Sequence, residues 1–328
     1  MKPTVLIAYA GHKEVGIEAE ILRAAGAEVV AAVDIDTPEA IATYPEADAL
    51  MVTIQEVPAA LLDQMPRCKI VCRVGTGMDA IDIPAATARG IWATNVPDYS
   101  IDEVSTHAMA LLLALARNLF RHRGTARDGV WRYQSERPIR RFAGQTLGIL
   151  GLGRIGRASA AKGHGLGLTV IGCDPYVSDE PFASLGVRRV DIETLLQTSD
   201  FLTLHVPLTD ETRRVIDARA LALMKPTAFL VNTARGDVVD IDALVEAVRG
   251  GTIAGAGIDV LPSEPPPPDH PVLHEEGIIV TPHIGWASIE SGHDVRERGA
   301  RDVVRVLAGE RPTYPWNEVT DHLSGVHA

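Results

Sequence analysis

Three ionisable residues stand late in the chain, each just past an apolar run. Arg235 follows Ala228–Asn232 in Asn232-Thr233-Ala234-Arg235-Gly236. Glu264 lies in Asp259-Val260-Leu261-Pro262-Ser263-Glu264, and His283 in Thr281-Pro282-His283-Ile284-Gly285-Trp286. Imidazole titrates near neutrality and can pass a proton. A neighbouring carboxylate stabilises the imidazolium, raises its pKa and fixes its tautomer. A guanidinium offers a planar fork that grips a carboxylate and polarises the carbonyl beside it. Singly, an Arg after a strand is a surface charge and a His after Thr-Pro a packed turn residue. Together they suit a reaction in which negative charge develops on oxygen, as when a ketone accepts a hydride.

A hydride needs a carrier, and the sequence offers a place for one. Gly151-Leu152-Gly153-Arg154-Ile155-Gly156 directly follows the apolar run Leu147–Leu150 and opens a helical pattern. In such a turn the first glycine permits the tight bend and the second lets backbone approach a pyrophosphate. The third lets the helix pack on the strand. The phosphates then meet the unpaired N–H groups at the positive end of that helix. Asp174 stands eighteen positions after Gly156, at the end of the next strand pattern, Thr169–Cys173. A carboxylate there accepts hydrogen bonds from the adenosine ribose hydroxyls and repels an extra phosphate, which predicts NAD rather than NADP.

The elements that must position these groups are strands alternating with helices, the pattern of parallel, doubly wound sheets. Strands are expected at Thr4–Tyr9, Glu28–Val33, Ala49–Thr53 and Lys69–Val74. A second series follows at Leu147–Gly151, Thr169–Cys173, Phe201–His205, Ala228–Asn232, Ala256–Asp259 and Ile278–Val280. Between the series lie a long Ala- and Leu-rich helix, Ile101–His122, and a basic, aromatic loop from Arg127 to Phe142 that includes Trp131, Tyr133, Arg137, Arg140 and Arg141. A final helix, Ser288–Ala308, has spacing suited to lying on the first domain. The expectation is an α/β protein of two doubly wound parallel-sheet domains with a cleft between them. A flavodoxin-like substrate domain is formed by residues 1–98 and 288–328, and a Rossmann cofactor domain by residues 99–287. Ligands bind outside the carboxyl ends of such strands, so Arg235, Glu264 and His283 should face one cleft.

Bulk properties agree. A chain of 328 residues is long for one core. The net charge of -12 argues against a nucleic-acid surface, which requires a basic field. The apolar stretch 108–116 falls short of the roughly 20 residues a membrane span needs. Three cysteines, Cys68, Cys72 and Cys173, cannot build a disulfide framework, and Cys68 with Cys72 lacks a matching pair for a metal. The expectation is a cytoplasmic protein without a metal. His107 reads as a packing or interface residue, and His12, His122, His270, His274, His322 and His327 as solvated.

The chain resembles the D-isomer-specific 2-hydroxyacid dehydrogenases over nearly its whole length. The matching stretches are Arg73-Val-Gly-Thr-Gly-Met-Asp79, Asn95-Val-Pro97, Gly151 to Gly156, His205-Val-Pro207, Asn232 to Gly236, Gly257-Ile-Asp259-Val, Glu264-Pro265 and Pro282-His283-Ile-Gly285. The resemblance implies an NAD-dependent enzyme interconverting a small anionic 2-keto acid and an (R)-2-hydroxy acid. Arg235 would orient substrate, Glu264 would support the histidine, and His283 would be the acid/base. The backbone of Val74, Gly75 and Thr76 would receive the substrate carboxylate. Asp259 would hold the nicotinamide carboxamide. His205, Val206, Pro207, Thr233 and Ala234, with Gly285, would line the cofactor. A homodimer built through the cofactor domain, with the long helix after Pro97 at its interface, is implied too.

Two alternatives stay open. One is a D-3-phosphoglycerate dehydrogenase-type enzyme, against which Thr53-Ile-Gln-Glu56 offers no cation where those enzymes place an Arg. The other is an NAD-sensing, corepressor-like binding protein. Corepressors of this fold carry a Trp just after the His, as Trp286 does here, and Trp286 could equally pack against substrate or a hinge.

Overall fold

The computed structural model describes residues 2–9, 15–131 and 138–319. His12, Tyr133, Arg137, His322 and His327 lie outside that set. The chain divides into two compact units, Met1–Tyr99 with Ser288–Ala328, and Ser100–Ala287.

The first unit holds β1 (Thr4–Ala8), β2 (Glu28–Ala32), β3 (Ala47–Val52), β4 (Ile70–Arg73) and β5 (Trp92–Thr94) in one parallel sheet of order β2-β1-β3-β4-β5. That is the flavodoxin-like winding. Near-continuous apolar runs such as Val5-Leu6-Ile7-Ala8 suit strands covered on both faces. One face packs Leu22 of helix Gly16–Ala24 and Val295, Val303 and Val306 of helix Ile289–Leu307. Ser288 starts the latter helix with a capping box to Ser291. Cys68 and Cys72 are buried apolar fillers, their thiols pushed up to about 12 by burial.

The second unit is a seven-stranded parallel sheet. Its strands are β6 (Thr146–Leu150), β7 (Thr169–Cys173), β8 (Arg188–Arg189), β9 (Phe201–Leu204), β10 (Phe229–Asn232), β11 (Gly255–Ile258) and β12 (Ile278–Val280), ordered β12-β11-β10-β9-β6-β7-β8. The direction of winding reverses between β6 and β9. A doubly wound sheet opens a crevice at that point.

The long helix predicted over Ile101–His122 is two helices, Ile101–Ala116 and Leu119–Arg127. Asn118 breaks it with φ of 52°. Asparagine tolerates this left-handed conformation better than other non-glycine residues, and no helix propagates through it. The second helix runs past the predicted end at His122 and stops at Arg127, the first residue of the stretch read as a loop. Two strands escaped prediction because neither displays a hydrophobic period: β5 has three residues, and β8 consists of two exposed arginines.

Candidate active site

Each candidate group in the second unit sits at the carboxyl end of a strand. Arg235 follows β10 in a turn pinned by the buried Asn232, whose Oδ1 accepts from Ala234 N at 3.0 Å and whose Nδ2 donates to Arg235 O at 2.9 Å. The next residue must be glycine. A Cβ on Gly236 would lie 2.0 Å from the Leu261 carbonyl carbon, so only glycine lets the Arg235 turn meet the Leu261–Glu264 segment. The guanidinium of Arg235 donates from Nη1 to Ala234 O at 2.7 Å.

Glu264 and His283 are joined directly. His283 Nδ1 stands 2.6 Å from Glu264 Oε2, and Glu264 Oε1 accepts from Leu261 N at 2.8 Å. Burial pushes the Glu264 carboxyl up. Hydrogen bonds from His283 and the Leu261 N–H, with the charges of His283 and Arg235, outweigh it and hold the group below the usual carboxylate range. An ionised Glu264 accepts a proton-bearing Nδ1, which leaves Nε2 as the ring atom able to exchange a proton.

The backbone at His283 is unusual, with φ of 53°. A non-glycine residue in this region costs on the order of 1–3 kcal/mol and persists only where its surroundings over-determine it. Asp259, past β11, is that surrounding. His283 N donates to Asp259 O at 2.8 Å and to Thr281 O at 3.0 Å. The Asp259 carboxylate accepts from Ile284 N at 3.0 Å, Gly285 N at 2.8 Å and Thr281 Oγ1 at 2.6 Å. His107, on helix Ile101–Ala116, completes the cluster, with Nε2 3.0 Å from Thr281 Oγ1 and 3.3 Å from Asp259 Oδ1. Burial raises the Asp259 carboxyl, but these donors, His107 first among them, outweigh it and hold the group below its ordinary value. Thr281 and His107 were not singled out as site residues. A histidine on an apolar helix gives no signal of its partner 174 residues away.

The glycine-rich turn lies at the sheet's switch point. Gly151 has φ of 92°, and a Cβ there would sit 2.7 Å from His205 O. Gly153 precedes helix Arg154–Gly165, with Arg154 and Ile155 in its first turn. Gly156 packs so closely that a Cβ would lie 2.1 Å from Gly151 O. Asp174 follows β7, its Oδ2 accepting from Leu152 N at 2.8 Å and its Oδ1 from Tyr176 N at 2.9 Å. Beside them opens a cavity of about 1230 Å³, larger than the ~300–1,000 Å³ of common ligand clefts. Gly151, Gly153, Asp174, His205, Val206 and Pro207 line it. His205 Nε2 lies 3.0 Å from Ser159 Oγ and 3.1 Å from Thr203 Oγ1, and burial pushes its imidazole down to about 4. Thr233 carries a buried hydroxyl without a protein partner, and Ala234 follows it. A glycine bend against a helix N-terminus, an acid at the next strand end and an unpartnered hydroxyl together fit a dinucleotide.

Val74, Gly75 and Thr76 belong to the other unit. Val74 N donates to Val52 O at 2.7 Å, Gly75 O accepts from Val96 N at 3.0 Å, and Thr76 O accepts from Asn95 Nδ2 at 2.5 Å. Trp286 is 38% exposed. His270 and His274 are not merely solvated. They tie the loop after the proline run, His270 Nδ1 accepting from Val272 N at 3.2 Å and His274 Nε2 lying 2.9 Å from Pro268 O. Among the described residues, no helix is long and apolar enough to cross a membrane.

Comparison with known proteins agrees with this geometry. The family model described as D-isomer specific 2-hydroxyacid dehydrogenase, NAD binding domain, matches residues 109–285. A D-3-phosphoglycerate dehydrogenase of Mycobacterium leprae is 41% identical over 276 residues, covering 84% of this chain and 52% of that protein. The chain thus spans about half the length of that relative. A glyoxylate reductase of Thermococcus litoralis is 40% identical over 275 residues, covering 81% of this chain and 82% of the other. The crystal structure of D-lactate dehydrogenase from Aquifex aeolicus, complexed with NAD and lactic acid, is 30% identical, with a TM-score of 0.86 over 93% of this chain and 96% of that one. The chain belongs to the D-isomer specific 2-hydroxyacid dehydrogenase family.

Proposed function

We propose that this protein is an NAD-dependent dehydrogenase that interconverts a small 2-keto acid and the corresponding (R)-2-hydroxy acid. The observation that carries the reading is the 2.6 Å contact between His283 Nδ1 and Glu264 Oε2, within range of the Arg235 charge. The cofactor is a nicotinamide dinucleotide. Its pyrophosphate would rest on Gly151, Gly153 and Gly156, its ribose on Asp174, and its remaining length along His205, Val206, Pro207, Thr233 and Ala234. When bound, the nicotinamide supplies or accepts the hydride.

The chain's own residues do the rest. Arg235 grips the substrate carboxylate and polarises the adjacent carbonyl. As the carbonyl carbon gains a hydride, its π electrons move to oxygen, and His283 Nε2 delivers the proton that makes the hydroxyl. Glu264 keeps Nδ1 protonated and balances the imidazolium in the reverse direction. Asp259 and Gly285 hold the turn that presents His283. Trp286, partly exposed just past His283, would wall the substrate tail.

Purified protein with NADH should oxidise the cofactor on a panel running from glyoxylate and pyruvate to phenylpyruvate and phosphohydroxypyruvate, with (R) products. Failure with every member overturns the reading, and strong preference for phosphohydroxypyruvate selects the phosphoglycerate alternative. His283→Ala should reduce turnover about 10²–10⁴-fold. A loss under threefold removes His283 as the proton donor.

The proposal extends to a cytoplasmic homodimer. Leu119 and Phe120 are 54% and 59% exposed on helix Leu119–Arg127, an apolar face suited to a second copy. All three cysteines are free. Sedimentation should give twice the chain mass for the wild type and a smaller species for Phe120→Asp.

A further inference from the structure

The cavity beside β6 and β7 contains a cation that the ribose assignment does not use. Arg189, the last residue of β8, lines it. Its Nη2 donates to the backbone oxygen of Asp174 at 3.1 Å, and its Nη1 pairs with Asp179 at 2.6 Å. The guanidinium also lies 5.1 Å from the centroid of the Phe182 ring. Arg189 is therefore held at the corner of the cavity where the Asp174 carboxylate is fixed by Leu152 N and Tyr176 N.

These two side chains make opposite demands on a ligand. A carboxylate at the end of the second strand accepts from ribose hydroxyls and repels a 2′-phosphate, whereas an arginine nearby accommodates that phosphate. Here both stand at one corner. The wall carries three further carboxylates, Asp191, Asp210 and Glu211, and Arg189 is the one lysine or arginine among the described lining residues. Its hold on Asp179 is weak, because the two side chains are 39% and 87% exposed and such pairs contribute little. A phosphate could displace Asp179 and gain a two-point contact with the guanidinium fork.

We propose that Arg189 is a specificity-determining residue, a latent group for a 2′-phosphorylated adenosine that Asp174 masks. The proposal rests on the reading that this cavity takes the adenosine end of the dinucleotide. Discrimination against NADPH is then the net result of an acid overriding a base already in position, rather than the lack of a phosphate site.

Calorimetric binding of 5′-AMP and 2′,5′-ADP tests it without any turnover. Asp174→Asn keeps an acceptor for Leu152 N and should raise the ratio of 2′,5′-ADP affinity to 5′-AMP affinity at least tenfold. Adding Arg189→Ala should abolish that gain, and the gain itself should shrink as salt rises. Arg189→Ala alone should widen the wild-type preference for 5′-AMP, which keeps the proposal testable if Asp174 variants fail to fold. A gain that survives Arg189→Ala, or a preference that Arg189→Ala leaves unchanged, overturns the assignment of Arg189 alone. Failure of the wild-type protein to bind 5′-AMP overturns the underlying adenosine reading as well.

Discussion

At the scale of single residues, the site is built from groups whose chemistry depends on geometry more than on charge alone. Arg235 is the clearest case. Its turn is locked by Asn232 and its approach to the Glu264 segment is permitted by Gly236. A lysine would keep the positive charge but lose the planar fork that holds a carboxylate at two points. Arg235→Lys is therefore expected to lower kcat/KM by about a hundredfold, the scale of loss that follows from misplacing a substrate by an ångström. Steady-state kinetics with the best keto acid measures it, and a variant within threefold of wild type places the substrate carboxylate on other groups. The placement of Arg235, Glu264 and His283 past strand ends was legible in the sequence, because each follows an apolar run. Their pairing was not. Glu264 meets His283 only through the chain's return across β12, a contact between residues 19 apart.

Among the elements, the less obvious contributor is helix Ile101–Ala116. It brings His107 to Thr281 and Asp259, and so reaches the turn that holds His283 at φ of 53°. It is itself anchored to helix Arg154–Gly165 by Lys162, whose Nζ lies 2.6 Å from Asp102 Oδ1 and 3.0 Å from Ser105 Oγ. Because Thr281 Oγ1 donates to Asp259, the Thr281 oxygen accepts from His107, which fixes His107 as an Nε2–H donor. His107→Leu should loosen the turn and lower kcat about ten- to a hundredfold, with NADH affinity changed much less. Fluorescence titration of NADH beside kcat separates the two, and an unchanged kcat removes His107 from the positioning of His283. Strand and helix order was readable from alternating apolar runs, since buried parallel strands such as β1 and β3 are apolar throughout. What could not be read were features without a hydrophobic period. The left-handed break at Asn118, the two-arginine β8 and the His107 contact all depend on neighbours distant in sequence.

For the whole molecule, the pH dependence of stability separates into two windows with different owners. Burial holds His205 down at about 4 against an ordinary value of 6.5. Between those values the unfolded chain binds a proton that the folded chain refuses, and stability falls as pH falls wherever the unfolded state binds more protons. The contribution is therefore whole above pH 6.5 and is lost as pH drops towards 4. The full shift corresponds to about 3 kcal/mol, and partial exposure of the residue trims this to roughly 1–3 kcal/mol. Asp98, Asp259 and Glu264 act lower on the scale. Burial raises each carboxyl, but hydrogen bonds, joined by nearby positive charge at Asp98 and Glu264, outweigh it and hold all three below their ordinary values of 3.8, 3.8 and 4.5. Their support is complete above those values and disappears as pH falls through the lower folded ones. Urea unfolding should accordingly show stability declining from pH 6.5 to 4 in the wild type, then steepening below 4. His205→Asn removes the titrating ring, so its curve should be flatter by roughly 1–3 kcal/mol across the upper window and steepen below 4 as before. Parallel curves from pH 7 to 4 would assign the upper window to another group and leave His205 without a role in it.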